Sequence, residues 1–314
     1  MKRRHVVLSS ASLLLGAAPR RAAAQTLNGF DVRGALIPIK AIEQGGPPRD
    51  GIPSIDKPRF VEAARSGLKD NGRVLALARN GVARAYPVRI LNWHEIVNDQ
   101  LGDEAIAVTY CPLCGTGMAF DARVAGRAAS FGVCGLLYDS DMLLYDRGTE
   151  SLWSQLLEQA VSGPMKGTKL TPVPLTHTSW ADWRSRHPRT EVLSTDTGHA
   201  RDYERDPYAG YDSVPRLLFE VQHRDDRLPV KEWVLGLRIA GQAKAYPFSV
   251  LAQRVDAKGR LADRVGGAPV EIRFDRTHRS AEAFDATGQV LPSVMAFWFA
   301  WFAFHPKTEV LAAR

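Results

Sequence analysis

The chain has 314 residues, 45% of them hydrophobic and 24% charged, with 41 basic side chains against 34 acidic ones. This excludes a collagen-like, low-complexity or disordered chain and allows one large core or two smaller ones. Five of the 41 bases (Lys2, Arg3, Arg4, Arg20 and Arg21) fall in the first 24 positions, leaving 36 against 34, so no nucleic-acid footprint is supported.

Those first residues, MKRRHVVLSSASLLLGAAPRRAAAQ, read as a signal peptide over residues 1–24. A basic start precedes a modest apolar stretch, and Ala22-Ala23-Ala24 forms a small-residue cleavage site. The Arg3-Arg4 pair suits the twin-arginine route, with an ordinary secretory leader as the alternative. The expected location is periplasmic or otherwise extracytoplasmic. Val6–Ala18 is too short to span a bilayer, which takes ~20 residues.

Further along, Lys57–Lys69 has helical character, with Pro58 near its start. "VLALARNGVARAYPV" from Val74 has an apolar run, a turn at Asn80-Gly81 and then alternation, which predicts a β-hairpin. "AIAVTY", "SFGVCGLLY" and "MLLYDR" read as strands. Ser151–Ala160 and Trp180–Arg186 are the other helical candidates, the second stopping before His187-Pro188. Ser194–Asp212 is a long polar loop rich in Asp and Tyr, either lining a site or linking two halves. Its His199 reads as a solvent-exposed loop histidine, with a ligand or general base as the alternative. The sum is an α+β fold, β-rich, with no βαβ rhythm.

The chain also repeats itself. "VLALARNGVARAYPVRIL" at Val74–Leu91 returns as "VLGLRIAGQAKAYPFSVL" at Val234–Leu251, an offset of 160 residues. "AIAVTYC" and "AFDARVAG" return as "PVEIRFD" and "AFDATGQV" at offset 164, and "SWADWRSRHPRTEVL" as "FWFAWFAFHPKTEVL" at offset 118. An internally duplicated module follows, with a signal peptide at 1–24, a first copy at 25–212 and a second, degenerate copy at 213–314. The first copy carries an insertion containing Cys134. Function is expected where the copies differ, because shared positions are explained by shared packing. His187 and His305, kept in both "HPxTEVL" stretches, and Tyr86 and Tyr246, kept in both "AYP" stretches, are therefore expected to pack. The apolar "VMAFWFAWFAF" near the C-terminus is about half a membrane span long and reads as a buried or interface helix. If it faces solvent, it marks a protein-partner or membrane-surface contact.

"TYCPLCGTG" at Thr109–Gly117 carries the chemistry. Pro112 fixes a turn and Gly115 supplies a positive φ beyond it, so two thiolates can converge on one ion as in a metal knuckle. One knuckle gives two ligands and no second CxxC exists. Cys134 and His94 are the next candidates, with Met118 behind them and Glu95 or Asp99 as support for His94. Two other readings stay open, a disulfide with one buried thiol and a redox or nucleophilic Cys111 with His94 as base. Under the 164-residue offset Cys111 and Cys114 fall on Asp275 and His278, read as a turn that has lost its cysteines. No phosphate-cradling loop, GxSxG elbow or HExxH helix is present.

"GGPPRDGIPSIDKPRFV", "NWHEIVND", "VTYCPLCGTGMAFD", "FGVCGLLYDSDMLLYDRGTESLWSQ" and "RDYERDPYAGY" together resemble domain-of-unknown-function family 3179 over roughly Gly45 to Tyr211. The resemblance implies a largely exported prokaryotic group and no established activity. The expectation is an extracytoplasmic protein binding copper or zinc through Cys111, Cys114, His94 and Cys134. A thiol-dependent enzyme and a non-catalytic scaffold are the alternatives.

Overall fold

The computed structural model describes residues 25–124 and 126–313, so the expected leader lies outside them. Five sheets of four or five strands form the blades of a β-propeller, and strands take 41% against 13% for helices. The expected α+β class with an internally duplicated module is thereby corrected. Two helical candidates fail for the same reason. Lys57–Lys69 holds the strand Phe60–Glu62 and a single 3-10 turn, and Ser151–Ala160 holds the strands Leu152–Ser154 and Gln159–Ala160. Leu152 and Trp153 pair with Tyr145 and Leu144, so sheet pairing and burial override a helical pattern.

Blade 1 is built on the hairpin Arg73–Arg79 and Val82–Pro87, flanked by Thr176–Ser179, Glu191–Leu193 and Phe60–Glu62. Its turn is Asn80-Gly81 as expected, with φ of 52° and 75°, the double left-handed geometry of a type I′ hairpin. Blade 2 consists of Ile96–Leu101, Glu104–Cys111, Thr116–Asp121 and Thr171–Val173. Blade 3 is centred on Phe131–Tyr138 and Asp141–Asp146. Blade 4 (Trp233–Ile239, Gln242–Pro247, Val294–Phe297, Glu309–Val310) has the same inner order as blade 1. Blade 5 (Arg260–Val265, Ala268–Asp275, Ser280–Asp285, Val290–Leu291) matches blade 2 in the same way. The repeated sequence blocks thus correspond blade to blade.

Each hairpin of blades 1 and 4 runs into a two-turn helix, Val88–His94 (α1) and Phe248–Arg254 (α3). Trp180–Arg186 (α2) forms where expected, its start capped by Ser179 Oγ, which accepts from Asp182 N at 3.3 Å. Trp298–Phe304 (α4) holds the C-terminal aromatic stretch. Trp298, Trp301 and Ala300 are at most 1% exposed, so this helix fills the protein's own core and leaves no apolar face for a partner. No helix among the described residues is long and apolar enough to cross a membrane.

The shared histidines are structural. His187 stacks on Trp183 at 4.0 Å while the Trp183 indole donates to Thr190 Oγ1. His305 stacks on Trp301 at 4.1 Å, and that indole donates to Thr308 Oγ1. Tyr86 donates to Asp99 at 2.5 Å, and Arg84 pairs with the same carboxylate at 2.6 Å. In blade 4 Lys244 pairs with the corresponding Asp263 at 2.7 Å. Blades join through side chains that satisfy backbone groups. Asn98 of blade 2 donates to Phe131 O and accepts from Phe131 N of blade 3, both at 2.8 Å.

Candidate metal centre

Cys111 ends the strand Glu104–Cys111 and pairs with Thr116, leaving Pro112 to Gly115 as the connection. Cys114 N donates to Cys111 O at 3.2 Å, which closes the turn. Gly115 has φ of 65°, as its place in the turn requires, and a Cβ there would lie 2.7 Å from the Trp233 ring. The turn is anchored from outside as well, since Cys114 O accepts from Phe297 N of blade 4 at 2.9 Å. Both cysteines are free thiols, at most 1% exposed.

Facing this turn is the tip of the blade 3 hairpin, where Asp139 and Ser140 join Phe131–Tyr138 to Asp141–Asp146. Both sit in the left-handed region, with φ of 49° and 64°. Two consecutive non-glycine residues there cost about 1–2 kcal/mol each. A distant segment holds them in place. Asp139 accepts from Gln222 N at 2.7 Å and Gln222 Nε2 at 3.1 Å, and Ser140 Oγ donates to Phe219 O at 3.0 Å. The strained tip turns the Ser140 carbonyl toward both thiols, which approach it at 3.3 Å (Cys114) and 3.8 Å (Cys111). The next residue, Asp141, completes the group: one donor atom each from Cys111, Cys114 and Asp141 lies within 4.8 Å of the other two.

Asp141 is 0% exposed. Its carboxylate accepts from Leu156 N at 3.2 Å, and Thr116 Oγ1 lies 3.5 Å from it. Thr116 also donates to Gln155 Oε1 at 2.9 Å, and Gln155 Nε2 donates to Thr109 Oγ1 at 2.8 Å. This buried chain fixes the carboxylate's orientation. With no cation, burial disfavours every charge in the group. It raises Asp141 to about 7 and pushes both thiols up, Cys114 well above the ordinary range. Glu95 at the end of α1 is a further buried acid, raised to about 8 by burial and then by the Asp141 charge. Its backbone is left-handed, with φ of 58°, and it lines an apolar cavity of about 320 Å³ together with Leu113 and Met142.

The structure brings Cys111 and Cys114 together and places His94 and Cys134 elsewhere. His94 Nδ1 donates to Pro53 O at 2.7 Å, so Nε2 is the atom that accepts from Tyr203 OH at 2.6 Å. Both ring nitrogens are used, and burial lowers its pKa to about 4. Cys134 lies on the other face of its strand, among Phe30, Leu136 and Tyr145, with Sγ 2.9 Å from Leu143 O. Its neighbour Val133 belongs instead to the cluster containing Cys111 and Cys114. The two-residue period of a strand separates them. Met118 is buried in that same cluster, while Asp99 is engaged by Tyr86 and Arg84. His199 is exposed, its ring 5.4 Å from that of His94. In the corresponding turn of blade 5, Asp275 accepts from His278 N at 2.9 Å and His278 Nδ1 is 2.7 Å from Ser179 Oγ.

Sequence reasoning missed Asp141. A signal was present, because "YDSDMLLYD" lies in the insertion that the second half lacks. No curated protein and no solved structure matches the chain. A family described as protein of unknown function (DUF3179) matches residues 49–291, well over half the length, and with the motifs around Cys111 and Asp141 inside that span the chain belongs to this family.

Proposed function

We propose that this is an extracytoplasmic protein that binds one metal ion through Cys111, Cys114 and Asp141, and that the ion is zinc. The observation that carries the reading is the convergence of three buried acidic side chains within 4.8 Å. Three such groups held together without a cation are each driven to the neutral form, and a divalent ion reverses that penalty. Donors on tetrahedral zinc stand about 3.3–3.8 Å apart, so closing on an ion asks for a shift of about 1 Å. Two sulfurs and a carboxylate oxygen suit zinc, whereas copper(I) favours an all-sulfur or imidazole set. Three protein ligands leave a fourth position, where bound zinc supplies Lewis acidity. A nucleophilic thiol is less well supported, since burial raises both thiols and no cation lowers them. The extracytoplasmic part rests on the leader-like first 24 residues alone.

Elemental analysis of protein purified without chelators tests the proposal. The expected result is near-stoichiometric zinc, lost in Cys111→Ser/Cys114→Ser and held more weakly in Asp141→Asn, which removes one of the three ligands. Stoichiometric copper would overturn the choice of ion. Metal-free wild type that takes up no zinc, or a Cys111–Cys114 disulfide found on thiol counting, would overturn the site.

A further inference from the structure

Pro112 of the cysteine turn and Arg279 of the corresponding blade 5 turn line one cavity of about 200 Å³. Three pairs of its lining residues stand at corresponding positions of the repeated sequence blocks: Arg73 with Trp233, Val88 with Phe248, and His177 with Met295. The lining joins basic and polar side chains (Arg73, His177, Arg279) to apolar ones (Val88, Trp233, Phe248, Met295). Basic and aromatic side chains therefore share one small space, with the His177 ring edge-on to Trp233 at 5.7 Å.

The basic side chains lack an anionic partner. The Arg73 guanidinium donates to three carbonyls, His278 O at 2.6 Å and His177 O and Arg279 O at 3.1 Å each. Among the described residues neither Arg73 nor Arg279 has a carboxylate within ion-pair distance. His177 is 5% exposed, and its Nδ1 is buried with no hydrogen-bond partner. A half-buried cation beside an unsatisfied imidazole is costly unless something anionic meets it. Asp206 and Asp212 at the mouth do not serve. Asp206 already accepts from Asn92 and from Tyr208 N, and both acids are exposed, where water and salt screen them. As for size, an engineered cavity of about 150 Å³ holds benzene, so this one takes a single ring with a small substituent.

We propose that this cavity binds a small aromatic carboxylate, its charge on Arg73 and His177 and its ring against Trp233 and Phe248. The proposal does not depend on a metal at the cysteine turn. Calorimetric titration of the full chain with benzoate, benzamide and benzylamine tests it. The expected result is saturable benzoate binding, about tenfold or more tighter than that of neutral benzamide. Arg73→Gln should abolish it. Arg279→Gln, at an exposed position, should weaken it several-fold with an unchanged melting temperature, which guards against a merely misfolded Arg73 variant. Benzoate binding retained in Cys111→Ser/Cys114→Ser would separate this site from the metal. Benzamide or benzylamine binding as tightly as benzoate, no saturable benzoate binding to the wild type, or full affinity in Arg279→Gln would overturn it.

Discussion

The turns Cys111–Thr116 and Asp275–Ser280 occupy the same place in blades 2 and 5 and have opposite surroundings. The first is roofed by blade 3's tip and by Trp233 and Phe297, and its side chains are buried. The second is largely exposed and satisfies its own Asp275 with a backbone N–H. At the left-handed position the first has Gly115 at φ 65°, where no Cβ fits, and the second has Arg279 at φ 46°. The difference shows that the backbone turn alone does not gather the three donor groups. What completes the candidate group is the insertion that packs a carboxylate and a strained carbonyl over the turn.

The comparison can be broken most sharply by exchanging chemistry between the turns. Cys111→Ser/Cys114→Ser is expected to take bound zinc from near one equivalent to near none, while Asp275→Asn/His278→Ala leaves it unchanged, both read by elemental analysis. Exchanging the left-handed residues comes next. Gly115→Arg forces a Cβ into the Trp233 ring and should cost about 3 kcal/mol in denaturant unfolding. Arg279→Gly removes a strained position and should shift stability by no more than about 1 kcal/mol.

A pH profile separates the two environments further. Glu95 has no counterpart of similar burial beside the blade 5 turn, where Gly259 stands at the 164-residue offset. Its folded pKa is raised from 4.5 to about 8, so between those values the folded state holds a proton that the unfolded state releases. The stability that Glu95 contributes in the metal-free protein is therefore full below about pH 4.5 and is lost as pH rises toward about 8. Glu95→Gln should remove that contribution, seen as a change in unfolding midpoint between about pH 5 and about pH 8 that is shifted toward stability at the higher pH relative to wild type. The smallest effect is expected where the halves agree. Thr190→Val and Thr308→Val each remove one indole hydrogen bond and should cost about 1 kcal/mol apiece, the same in both blades.

Local features were legible where a residue type dictates geometry. Asn80-Gly81 forced a hairpin, Gly115 a left-handed turn, and His187-Pro188 the end of α2. The propeller was not legible, because blade membership depends on pairings such as Glu191–Leu193 with Val82–Pro87 that leave no local trace. At the site, the cysteines were found by chemistry and Asp141 was passed over for Cys134. Both lie in the insertion, and thiol chemistry favoured the cysteine. Register decided otherwise, since Cys134 faces the cluster around Tyr145. His94 was drawn in by proximity in sequence to the strand carrying Cys111, but the last turn of α1 aims its ring at Pro53 and Tyr203.

The clamp on Asp139 and Ser140 by Phe219 and Gln222 ties the thiol pocket to chain made some 80 residues later. A nascent or truncated polypeptide ending before that point would own every ligand and lack the seat that aligns them. On the proposed reading, ion capture would then report that this later segment has seated, making occupancy a mark of maturity as well as of composition.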